Sequence, residues 1–108
     1  MECSKDEFLS LIDPWRGKRC MVTVTSKTLE CRLLLQLDTL STGCEVHFTG
    51  AFPSDQFKLD LSTADFFAFG DALMAPEPMR GNFDLAIESV VLARITGQTL
   101  VGIALLRA

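Results

Sequence analysis

The stretch FKLDLSTADFFAFGDALM, Phe57 to Met74, decides how the chain is read. In FKLDL the apolar residues Phe57, Leu59 and Leu61 alternate with Lys58 and Asp60, the period of a strand with one face buried. Ser62 then suits a helix N-cap, with Asp65 three residues on, where a carboxylate meets the positive end of a helix dipole. Phe66, Phe69 and Leu73 follow at i, i+3 and i+7, broadened by Phe67 and Met74. This spacing predicts a core-facing helix over about 63–74.

Beyond Ala75-Pro76-Glu77-Pro78, which stops that helix, and a loop through Gly81-Asn82, the period of two returns. Phe83, Leu85 and Ile87 alternate with Asp84, Ala86 and Glu88. Val90, Val91 and Leu92 are consecutive, so a bulge or bend near Ser89 is expected to flip the phase. In RITGQTL, Arg94 to Leu100, the turn Thr96-Gly97-Gln98 makes a hairpin into a last strand from Thr99 to Arg107.

The other half of the chain extends the pattern. Ser4 and Glu7 form a capping box ahead of a two-turn helix bearing Phe8, Leu11 and Ile12, and Asp13-Pro14 ends it. Cys20, Val22 and Val24 then share one strand face, while Arg19, Met21, Thr23 and Thr25 share the other. After Ser26-Lys27-Thr28, Cys31, Leu33, Leu35 and Leu37 point inward, and Leu34 interrupts the outward polar set. That interruption marks this strand as central and covered on both sides. Cys44, Val46 and Phe48 point inward on the next strand, and 50–56 is a loop.

Short turns between successive strands imply antiparallel neighbours. The expected fold is therefore α+β: mainly an antiparallel β-meander or partial barrel of six to seven strands. A short N-terminal helix precedes it, and the helix at 63–74 packs on the sheet or plugs its open end. With 108 residues and no linker or repeat, the chain is expected to be one domain spanning 1–108. Its 48% of hydrophobic residues can supply a core without cross-links.

Fourteen acidic against ten basic residues give a net charge of −4, the wrong sign for a general nucleic-acid binder and a favourable one for a basic protein partner. The densest basic group, Arg16, Lys18 and Arg19, reads as a solvated approach to the sheet. Cys3, Cys20, Cys31 and Cys44 show neither CxxC spacing nor a cysteine–histidine cluster, so no metal site is expected. The start MECSKDEFLS lacks the segments of a signal peptide, so a reducing, cytoplasmic setting with free thiols is expected. No apolar run is long enough for a membrane-spanning helix.

No catalytic constellation emerges, and the chain is expected not to be an enzyme. His47 has Glu45 on its strand face and Asp60 on a neighbouring strand, yet nothing marks a nucleophile beside it. Asp60, Asp84 and Glu88 are outward carboxylates, but one tryptophan and no tyrosine leave a glycosidase cleft without its sugar-binding aromatics. Phe48, Phe57 and Phe83 fall on the core phase and lack the basic interleaving of a base-stacking platform. The scattered glycines build no phosphate loop, so no cofactor is expected.

The segment from Leu61 to Ala108 resembles the C-terminal half of WapI-type immunity proteins and related small bacterial immunity families. Phe66, Phe69 and Leu73 stand for their helix pattern and Glu88 for a strand glutamate. Gly97 stands for their hairpin turn, and Val101, Ile103 and Leu105 for the final strand. The resemblance covers about half the chain; the first helix and the Asp13-Pro14-Trp15 corner depart from it. It implies a cytoplasmic protein that neutralises a cognate toxin, with a basic toxin domain as partner. Independently of the resemblance, the outward phase of Asp60, Asp84 and Glu88 makes them the candidate partner contacts.

Other readings compete. A small-ligand barrel or unmarked small enzyme would hold an apolar ligand inside the sheet. A secretion chaperone usually dimerises through a terminal helix, whereas this chain ends on strand residues. Homodimerisation is a further expectation, because Leu100, Gly102, Ala104 and Leu106 make the second face of the last strand apolar, to be covered by the helix or by a partner.

Overall fold

The computed structural model describes residues 1–50, 55–71, 87–95 and 98–107. Among them are eight strands, one α-helix and one 3-10 turn. In chain order these are β1 (Glu2–Cys3), α1 (Lys5–Ile12), the 3-10 turn (Asp13–Trp15), β2 (Arg19–Thr25), β3 (Glu30–Leu40), β4 (Glu45–Thr49), β5 (Gln56–Asp60), β6 (Ala64–Gly70), β7 (Ile87–Ile95) and β8 (Thr99–Leu106). The fold is mainly β.

All eight strands join one antiparallel sheet in the order β1-β6-β7-β8-β2-β3-β4-β5. Two meanders, β2 to β5 and β6 to β8, are therefore stitched together by the pairing of the last strand with β2. Strands β5 and β6 lie six places apart in this order, about 29 Å in a flat sheet at ~4.8 Å per strand. Only Leu61, Ser62 and Thr63 connect them, a link that reaches at most about 14 Å. The sheet must therefore curl, although its hydrogen-bonded order stays open between β1 and β5.

The concave side holds the main core. Cys20, Val22, Leu35, Leu37, Val46, Phe48, Val91, Ala93, Val101, Ile103 and Leu105 line it from the strands. Phe8, Ile12 and Trp15 enter it from α1 and the turn after it. The Ser4–Glu7 capping box is present in both directions, so this helix starts where the sequence predicts.

Residues 63–74 do not form the expected helix: Ala64–Gly70 is strand β6, and Leu73 and Met74 lie outside the described residues. Two local facts favour the strand. Ser62, the expected cap, donates instead to the Asp60 side chain, closing a turn around its own neighbour. Phe66, Phe67 and Phe69 are aromatic and suit a pleated surface with cover on both sides. Asp65, the expected first-turn carboxylate, falls at a register break in the β6–β7 pairing and bonds Arg94 across it at 3.2 Å. Arg94 in turn stands 5.0 Å over the Phe66 ring.

The strands covered on both faces are β2 and β8, not β3. Flanked by β8 and β3, β2 buries Cys20, Met21, Val22 and Thr23 in succession, and β8 buries Val101 to Leu105. β4 is only five residues long and pairs β3 over Gln36–Leu40, so Leu33 and Leu34 stay 36% and 45% exposed. Met21, Ile87, Val90 and Ala104 form a second buried cluster on the convex side, with Leu106 packed against it. The second face of the last strand is thus largely covered within the chain, and α1 is not what covers it, since its contacts are with the concave core and β6.

The phase flip near Ser89 is present: Ile87 pairs Leu106 while Ser89 pairs Leu105, leaving Glu88 as the extra residue of a bulge. The last hairpin brings Ile95 opposite Thr99. Phe83 and Leu85, expected on the core phase, lie outside the described residues.

Candidate protein-docking edge

Of the three outward carboxylates, Asp60 is on β5, Glu88 on β7, and Asp84 lies outside the described residues. Asp60 and Glu88 are both exposed, but their strands are eighth and third in the sheet order. Hydrogen-bonded adjacency does not bring them together.

Asp60 has a built environment. Its Oδ1 accepts the Ser62 backbone N–H at 3.0 Å and the Ser62 hydroxyl at 2.6 Å. These two bonds, more than the Lys58 ammonium nearby, hold the carboxyl below the usual carboxylate range and fix its orientation. The turn that presents it is pinned from below. Leu61 N–H donates to the Cys44 carbonyl at 2.9 Å, and the Leu61 side chain is fully buried. Cys44 itself takes a left-handed backbone, φ +64°, directly after Gly43, held by its N–H bond to the Ser41 carbonyl.

Around Asp60 the convex face of β4 and β5 carries alternating charge. Glu45 stands opposite Asp60, and His47 opposite Lys58. Glu45 Oε2 lies 3.4 Å from Lys58 Nζ and 3.8 Å from His47 Nε2. His47 therefore has a carboxylate beside it, as the sequence predicts. The side chains next to it in the ladder, Thr39, Glu45 and Lys58, supply no activated nucleophile. The concave phase of β5 carries Phe57, paired with buried Phe48 yet 39% exposed.

β5 ends the sheet, so one side of Gln56–Asp60 has no neighbouring strand among the described residues. An exposed aromatic, an oriented anion and a run of backbone with no strand partner among the described residues thus coincide on five residues. Periodicity gives the outward phase of Asp60, but it carries no strand order and therefore no sign that β5 is terminal.

Two open clefts of about 370 Å³ flank α1. One is lined by Leu9, Asp13, Leu40 and Thr42, the other by Asp6, Leu11 and Phe69, with Ser10 between them. Both lie beside the helix, outside the packed concave core. Among the described residues no group of three or more His, Cys, Asp or Glu could hold a metal, and no helix is long and apolar enough to cross a membrane. All four cysteines are free thiols, with Cys20 and Cys44 buried. No family model matches the chain, and no curated protein or solved structure matches it significantly.

Proposed function

We propose that this chain is a non-enzymatic protein-binding module that docks a basic partner against the β5 edge, in the manner of a cytoplasmic immunity protein neutralising a toxin domain. The observation that carries the reading is Asp60. Its carboxylate is oriented by Ser62 at the exposed end of an edge strand, two residues from Lys58 and three from the exposed Phe57. An anion fixed by its own chain loses little freedom when a partner's cation meets it. The net charge of −4 would raise the rate of encounter with such a partner.

Asp84 and Glu88 are proposed as further acidic contacts, Glu88 on β7 and away from the β5 edge. The test is recovery of the tagged chain from its native host, identification of the co-purifying protein, and calorimetry with purified components. Alanine at Asp60, Asp84 and Glu88 together is expected to weaken binding by tenfold or more, and the wild-type association rate to fall with added salt. An affinity within twofold of wild type for the triple variant would dispose of the acidic docking site.

A further inference from the structure

We infer that, without its cognate partner, the β5 edge is occupied by the β5 edge of a second copy, paired antiparallel about a two-fold axis. This rests on the reading of β5 as a docking edge, and not on the identity of the cognate partner.

Backbone direction restricts the registers. Asp55 accepts from Gly50 N–H and Leu61 donates to the Cys44 carbonyl, so odd-numbered residues of this strand turn their backbone groups toward β4. Gln56, Lys58 and Asp60 therefore turn theirs to the side that has no strand among the described residues. Two such edges can exchange ladder bonds only where even residues meet even residues.

Three two-fold registers bring Lys58 or Asp60 opposite either residue of the second copy. Centring on Lys58 sets ammonium against ammonium, and centring on Asp60 sets carboxylate against carboxylate. Centring on Leu59 sets Lys58 of each copy against Asp60 of the other, twice. Like charges directly opposite destabilise a strand pair and opposite charges support it, so one register is selected and its neighbours are rejected. Lysine on an edge strand ordinarily discourages pairing, and among the three registers here only this one sets it against an opposite charge.

The two faces agree with this choice. On the convex face the two Lys58–Asp60 pairs lie beside Glu45 and His47. On the concave face half-buried Leu59 meets Leu59, while the exposed Phe57 falls beyond the paired strand, level with Leu61, which is already buried in its own chain. The sheet would run on through the axis from one copy into the next. A contact of five residues per copy is small, so the dimer is expected to be weak and concentration-dependent.

The test is light scattering after size exclusion and sedimentation equilibrium over a concentration series of the full chain. The wild type is expected to approach twice its 11.9 kDa mass at high concentration and to dissociate on dilution. Lys58→Asp and Asp60→Lys each oppose like charges in both pairs, and each is expected to raise the dimer dissociation constant about tenfold or more. The double exchange restores opposite charges and is expected to return to within about threefold of wild type. Should either single variant lose its fold by circular dichroism, raising salt from about 0.05 M to about 0.5 M must weaken the wild-type dimer instead. A monomer at every concentration, a dimer indifferent to reversal and salt, or a folded double exchange that fails to recover overturns the inference. None of these outcomes bears on cognate binding, which the alanine variants measure.

Discussion

Phe8 of α1 and Phe67 of β6 meet with ring centroids 4.9 Å apart and planes tilted by 50°. This contact joins the first helix to the strand beside the other end of the sheet, and both rings belong to the concave core. Phe8 is 1% exposed. Phe8→Ala is therefore expected to cost about 3–5 kcal/mol in urea unfolding, a large share of a small domain's stability. A double cycle with Phe67→Ala should give a coupling of about 0.5–1.5 kcal/mol beyond the separate losses. Leu11→Ala, half-buried beside an open cleft, is expected to cost clearly less than Phe8→Ala.

The unequal legibility of the two helices has a physical cause. At the N-terminus the capping box, the Phe8–Ile12 spacing and the following Asp-Pro agree, so local chemistry and tertiary need coincide. At 62–74 the same signals were imitated. Ser62 and Asp65 have the residue types of a cap and a first-turn acid, yet one closes a turn on Asp60 and the other makes a cross-strand pair with Arg94. The Phe66–Phe69 spacing fits a helix face, but β7 was waiting as a neighbour, and tertiary pairing overrode the spacing. Inward phases on β2 and β4 and the bulge at Ser89 were legible because period two survives in sequence. The outward phase of Asp60 was legible for the same reason. Strand order was not, since β8 pairing with β2 joins residues some eighty positions apart and leaves no local trace. The proposed docking edge follows from that order.

The Asp60–Ser62 turn predicts a titration. Ser62→Ala removes the hydroxyl donor, so the Asp60 carboxyl should rise toward the usual carboxylate range while the backbone donor keeps part of the effect. Because the folded state holds this carboxyl low, its contribution to stability is present above the unfolded value and is lost as pH falls through the folded one. Carbon-detected NMR titration of the side-chain carboxyl reads the shift directly. An unchanged midpoint in the variant would mean that the hydroxyl does not hold the anion.

Thr23 predicts a gain. Its hydroxyl is buried on β2 with no hydrogen-bond partner among the described residues, opposite Gly102 on one side and Arg32 on the other. A buried hydroxyl without a partner costs free energy, and valine replaces it with a methyl of the same shape. Thr23→Val is expected to stabilise the fold by about 1 kcal/mol, seen as a higher urea midpoint at unchanged slope. A loss of stability would show that the hydroxyl is satisfied in solution.

Cys20 predicts an alkaline limit. It is fully buried between β8 and β3, and burial pushes its thiol up from an ordinary value of 9.0 to about 11. The unfolded chain ionises first, so the stability this thiol contributes is complete below pH 9 and is lost as pH rises toward about 11. About two units correspond to about 2–3 kcal/mol. The chain has no tyrosine to titrate in the same range, and subtracting a Cys20→Ala variant removes the background from lysines. Unfolding free energies measured from pH 8 to pH 11 should show a difference between the two proteins that is flat at first and shrinks above pH 9. A native-state corollary follows for thiol reagents at pH 8: half-buried Cys31 reacts before Cys20, which modifies only as the protein opens. Equal rates at the two positions would place Cys20 in contact with solvent and remove the basis for the alkaline limit.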